Sequence, residues 1–142
     1  PDAPRELSYR LFLQELPSPI SSDFQGTLML MRVSLPVFIL PQVEAKQLLR
    51  WQVARTPQGT LKVSLTNDGS AHIKIKNLKL LTHNNVQSWV NQGSFAYVLP
   101  GQSHDWIMST NSDYRPSPLG TVLKLIAQTN TGEIEADVMI AP

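Results

Sequence analysis

Cysteine is absent from this chain of 142 residues. That excludes disulfides, thiolate zinc sites and thiol nucleophiles. Neither sign of charge is in excess: 12 Lys and Arg face 11 Asp and Glu, a formal net charge of +1. A nucleic-acid binder needs a concentrated basic face, and no run of like charges provides a polybasic tail or anchor. Long apolar runs are missing as well. Crossing a bilayer takes about 18 apolar residues, and the longest candidate, Leu28 to Leu40, is broken by Arg32, Ser34 and Pro36. No glycine-rich loop opens a helix, so there is no nucleotide fingerprint. His72, His83 and His104 are separated by 11 and 21 residues, which matches no zinc spacing. Ser103-His104-Asp105 holds the residue types of a catalytic triad, but neighbours in a strand point to opposite faces. The chain is therefore expected to be neither an enzyme nor a metal protein. It begins at Pro1 with no initiator Met and no charged-then-apolar leader, so it reads as processed, trimmed or partial.

What is present is hydrophobicity in alternation. Apolar residues make up 42% of the chain, enough for a packed core. Leu61, Val63 and Leu65 alternate with Lys62 and Ser64; Ile73 and Ile75 alternate with Lys74 and Lys76. Ile134, Ala136, Val138 and Ile140 alternate with Glu133, Glu135 and Asp137. This period of two marks strands with one oily face. The run Val122–Ala127 is oilier on both sides and reads as a more central strand. Turn signals lie between the runs at Thr56-Pro57-Gln58-Gly59, Asn67-Asp68-Gly69-Ser70, Pro100-Gly101 and Asn130-Thr131-Gly132. Asp68-Gly69 is a strong hairpin signal. About seven strands follow between Leu48 and Ile140, with an uncertain extra one around Val86–Val90. Such spacing predicts an all-β, immunoglobulin-like β-sandwich over residues 45–142. Trp51, Trp89 and Trp106 fit its core better than a sugar site. Asp113, Tyr114 and Arg115 read as solvated turn residues.

Residues 1–41 differ. Leu7–Leu16 and Thr27–Leu40 read as the strands of a long hairpin, joined by the breaker-rich loop Pro17–Gly26. A lone two-stranded hairpin is marginal in water. Either another chain supplies further strands, or the hairpin docks on the second domain. Residues 42–44, after Pro41, read as the hinge.

Four segments carry a resemblance. They are Tyr9–Pro17, Met31–Pro41, Thr66–Ile75 and Tyr97–Ser103, in that order along the chain. Together they resemble the periplasmic chaperones of the chaperone–usher pilus assembly pathway. Ser34-Leu35-Pro36-Val37-Phe38 looks most like the archaic, Csu-like branch. The resemblance implies two immunoglobulin-like domains, of which this chain aligns with the last two strands of the first, the hinge and the second. The earlier strands, roughly 70–90 residues by the usual domain size, have no counterpart here.

The implied function is donor-strand complementation: the chaperone lends an edge strand to the open groove of a pilus (fimbrial) subunit. It then delivers the subunit to an outer-membrane usher, in the periplasm and without a cofactor. Thr27–Leu40 has the extended, apolar character that a donor strand needs. Met29, Met31, Val33 and Leu35 form the longer apolar row, and Met suits grooves of variable shape. Burying four such side chains contributes roughly 6–12 kcal/mol before ordering costs. The competing expectation is that one row packs within the first domain's own core. The resemblance also implies a basic anchor for the subunit's terminal carboxylate. Arg10 matches its place on the penultimate strand, with Arg32 as second candidate. No lysine lies near the end of the donor strand, where the classical branch has one. The alternative function is a secreted immunoglobulin-like module that binds carbohydrate or forms a strand-swapped fibre.

Overall fold

The computed structural model describes residues 4–85, 88–110 and 117–141, without the side chains of residues 92–94. Asp113, Tyr114 and Arg115 lie outside the described residues. The described chain is all-β with no helix, and its strands form two separate sheets.

The first sheet is a ribbon of β1 (Leu7–Gln14) and β2 (Arg32–Ile39), paired antiparallel from Leu7 opposite Ile39 to Gln14 opposite Arg32. The hairpin is therefore present, with shorter strands than the alternation suggested. Leu28 to Met31 fall outside β2. One further rung is made at Met31, whose carbonyl accepts from Glu15 N–H at 2.8 Å. The Glu15 carboxylate accepts the Met31 N–H at 3.2 Å, so a side chain replaces backbone pairing where the ladder ends. Pro36 is tolerated within β2 because that strand has a neighbour on one side only.

The second sheet contains β3 (Leu49–Arg55), β4 (Leu61–Asn67), β5 (Ile73–Leu81), β6 (Ser88–Val98), β7 (Ser103–Thr110), β8 (Val122–Thr129) and β9 (Gly132–Ala141). Hydrogen bonds close them into a barrel in the order β3-β4-β7-β6-β5-β8-β9. Two seams of the barrel are short. β3 and β9 run parallel and pair only at Val53–Ile140 and Ala54–Ala141. β6 and β7 pair only at Trp89–Thr110 and Val90–Ser109. The seams divide the barrel into a layer of β3, β4 and β7 and a layer of β6, β5, β8 and β9. The uncertain strand at Val86–Val90 resolves in part: residues 88–90 begin β6, and residues 86–87 lie outside the described residues.

The core lies between the layers and follows the alternation: Leu61, Val63 and Leu65 from β4, Leu123, Leu125 and Ala127 from β8, and Val138 and Ile140 from β9. Trp89 and Trp106 are buried in it, and Trp51 packs against it. β8 pairs on both sides, as its oily composition suggested. In β5 the alternation breaks. Ile73 and Ile75 point inward, and so do Leu78 and Leu80, because a bulge shifts the register between Lys76 and Leu78. Asn77 occupies the bulge at φ 48°, a left-handed conformation that Asn tolerates better than most residues.

The Asp68-Gly69 turn is not a hairpin. β4 pairs with β3 and β7, whereas β5 pairs with β6 and β8, so this turn crosses between layers. It is held by the linker instead: Asp68 N–H donates to the Leu48 carbonyl and Ser70 N–H to that of Lys46. A Cβ on Gly69 would stand 2.4 Å from the Lys46 oxygen, which is why glycine is needed there.

Candidate functional site

Antiparallel register fixes which side chains share a face of the ribbon. One face carries Leu7, Tyr9, Leu11 and Leu13 of β1 opposite Ile39, Val37, Leu35 and Val33 of β2. It is apolar throughout, and Leu11, Leu13, Leu35 and Ile39 are each more than 40% exposed. The other face carries Ser8, Arg10, Phe12 and Gln14 opposite Phe38, Pro36, Ser34 and Arg32. There Arg10 Nη1 donates to Ser34 Oγ at 3.0 Å, and the Arg32 guanidinium lies 4.7 Å from the centre of the Phe12 ring.

Among the described residues, the bonds and ring contacts between ribbon and barrel gather at the base of the ribbon. Glu6, just ahead of β1, donates its N–H to the Ser70 carbonyl at 2.8 Å. Its carboxylate is buried and accepts from the backbone N–H of His72 at 3.2 Å. The same carboxylate lies 2.7 and 2.8 Å from His72 Nδ1. A carboxylate only accepts, so Nδ1 carries the proton. Phe38 of β2 stacks on the His72 ring at 3.7 Å, and Tyr97 of β6 stands 5.4 Å from Phe38. His72 is thus the joint between ribbon and barrel.

Above this joint, ribbon and barrel enclose a cleft of about 350 Å³, lined by Arg10, Pro36 and Phe38 on one side and Tyr97, Leu99 and Gln102 on the other. Arg10 is the cationic residue in the cleft lining. A guanidinium in a crevice with aromatic and amide walls suits a planar, bidentate anion such as a carboxylate.

The sequence candidates separate. Arg10 lies in the cleft, and Arg32 lies at the far end of the ribbon. Val33 and Leu35 lie on the opposite, apolar face from Arg10. Met29 and Met31 lie beyond β2, 86% and 66% exposed. The four row residues are therefore two in the ribbon and two in the loop, and none shares a face with Arg10. The outer edge of β2 is unpaired among the described residues; side chains of β2 border it on both faces, and Arg10 reaches toward it from β1 only through Ser34. The contribution of β1 to the apolar face was not read from sequence; Tyr9, Leu11 and Leu13 alternate with Arg10 and Phe12, and this spacing was its signal.

Ser103, His104 and Asp105 do not converge. Ser103 Oγ meets Thr66 Oγ1 at 2.8 Å, His104 packs edge-on to Trp106, and Asp105 lies 3.7 Å from Lys62. No family model matches the chain, and no curated protein is significantly similar to it.

Proposed function

We propose that this chain is the C-terminal part of a periplasmic chaperone of the chaperone–usher pathway, nearest the archaic branch. In this reading the barrel is an immunoglobulin-like sandwich closed at its two short seams. The ribbon is the last hairpin of a first domain that is incomplete here. The chain binds a pilus subunit by donor-strand complementation and passes it to an outer-membrane usher. The mechanism is stoichiometric and uses no catalytic residue, cofactor or nucleotide.

The observation that carries the reading is the ribbon itself: two eight-residue strands with an unpaired edge among the described residues and an exposed apolar face. Such an edge invites pairing with another chain and is normally blunted. The positions divide by task. Met29, Met31, Val33 and Leu35 are the donor row, Val33 and Leu35 on the apolar face of the ribbon and Met29 and Met31 extending the same parity beyond β2. Arg10, in the cleft, receives the terminal carboxylate of the subunit. An added β2-edge strand brings that carboxylate and the donor residues into one partner.

Co-purification with a fimbrial subunit from the same gene cluster tests this, using the chain and a version extended upstream. Binding is expected from the extended form, with loss on Arg10→Ala or Met31→Asp. Losing one partner of a desolvated arginine–carboxylate pair costs about 2–5 kcal/mol. If the extended form folds and binds no subunit, the chaperone reading fails and a secreted recognition module replaces it.

A further inference from the structure

The outer face of the layer β6-β5-β8-β9 carries opposite charges on its two sides. On β5, Lys74 and Lys76 point outward, and the bulge at Asn77 turns Lys79 outward as well. On β9, Glu133, Glu135 and Asp137 point outward. β8 runs between them, with Val122, Lys124, Ile126 and Gln128 outward. Register sets these residues in rows across the sheet. Lys76 is opposite Gln128, which is opposite Glu133; Lys79 is opposite Ile126, which is opposite Glu135.

Within one chain the lysines and carboxylates of a row are two strand spacings apart, roughly 10 Å, too far for direct contact. Among the described residues, Lys76, Lys79, Glu133 and Asp137 form no ion pair. Lys74 lies over the Phe95 ring at 4.2 Å, and Lys124 is tied to Glu135 at 2.9 Å. A shallow cavity of about 270 Å³ beside the bulge is lined by Lys79, Val90, Ile126, Gln128 and Glu133.

A positive and a negative row flanking one strand are complementary to themselves. A two-fold rotation about β8 preserves height along the strand and exchanges its two sides. Lys76 of one copy then stands over Glu133 of the other, and Lys79 over Glu135, each contact occurring twice. On the axis Ile126 and Val122 meet their own counterparts and supply an apolar centre. Lys124 also meets its counterpart there, and Glu135, bonded to it, with Asp137 close by, offsets that repulsion. Sheets stack face to face about 10 Å apart, which leaves room for these side chains to interleave.

We propose that this face is a self-association surface, on which two copies of the chain pair through the rows Lys76/Lys79 and Glu133/Glu135 about an axis along β8. It uses no residue of the ribbon and does not rest on the chaperone reading.

Sedimentation of the full chain tests it. At about 20 mM salt the wild type associates reversibly, and its dimer dissociation constant rises at least about tenfold at about 500 mM, because salt screens exposed pairs. K76E/K79E and E133K/E135K each sediment as monomers, since each variant sets like charges against like. Mixed in equal amounts they form a heterodimer tighter than the wild type, because both exchanged rows of one variant are then acidic and both of the other basic. Zero-length carbodiimide cross-linking of labelled with unlabelled chain joins Lys79 of one copy to Glu135 of the other. A wild type that stays monomeric at low salt, or a mixture that fails to associate, overturns the proposal. So does association that persists in both variants and strengthens with salt, which marks an apolar contact through the ribbon.

Discussion

Asn67 is a buried polar side chain with every polar atom satisfied. Its Nδ2 donates to the carbonyls of Ala71 and Val98, each at 2.9 Å, and its Oδ1 accepts from Gly69 N–H at 2.9 Å. It ties the crossover turn to the end of β6. Asn67→Ala leaves these three groups without a partner and is expected to cost about 2–4 kcal/mol in denaturant unfolding. Gly69→Ala pushes a methyl into the Lys46 carbonyl and is expected to cost about 1–3 kcal/mol by the same measurement. At His72 the consequence is local. His72→Ala removes the ring that Glu6 and Phe38 both hold, while the barrel core stays intact. Hydrogen exchange in residues 5–9 and 37–41 should accelerate by at least about tenfold, with protection of β4 and β8 unchanged.

At the scale of elements, two cases separate what periodicity can read from what it cannot. The alternation in β4, β8 and β9 translates directly into burial, because inward positions of a sheet recur every second residue. β5 defeats the same rule, since Ile73, Ile75, Leu78 and Leu80 change phase at Asn77. Asn77→Gly should be neutral within about 0.5 kcal/mol, whereas Asn77→Val should cost about 1–3 kcal/mol through left-handed strain. The Asp68-Gly69 pair misled for another reason. Local turn chemistry specifies a reversal of direction, but whether the next strand pairs with the last one depends on sheet partners distant in sequence. In the ribbon, composition indicated two strands, but the point where pairing stops was not legible. That point is set by the Glu15 carboxylate taking over at Met31. The separation of Arg10 from Val33 and Leu35 was implicit in parity alone, and it became visible only once β1 and β2 were set in register. For the ribbon, L11D/L35D should leave the unfolding midpoint of the barrel unchanged and abolish binding of a hydrophobic dye, since the exposed face contributes nothing to the barrel core.

At the scale of the whole molecule, the barrel is two layers fastened at unequal strength. β4 is paired along its length on both sides, whereas β3 and β9 share two residue pairs. Below that contact the strands diverge around an open groove lined by Trp51, Gln52, Ala136 and Asp137. Amide exchange at the β3–β9 seam should therefore precede global unfolding, with Val53 and Ala54 exchanging faster than Val63 and Leu65. The ribbon has mechanical consequences as well. Eight residues of β1, at about 3.3 Å each, make a lever of roughly 26 Å. Its described attachments to the barrel gather at the base, around Glu6, Phe38 and His72. A turn of about 10° there sweeps the tip through roughly 4–5 Å, which is the spacing between neighbouring strands. A tilt of that size at the base would shift a strand paired with the tip by about one strand position.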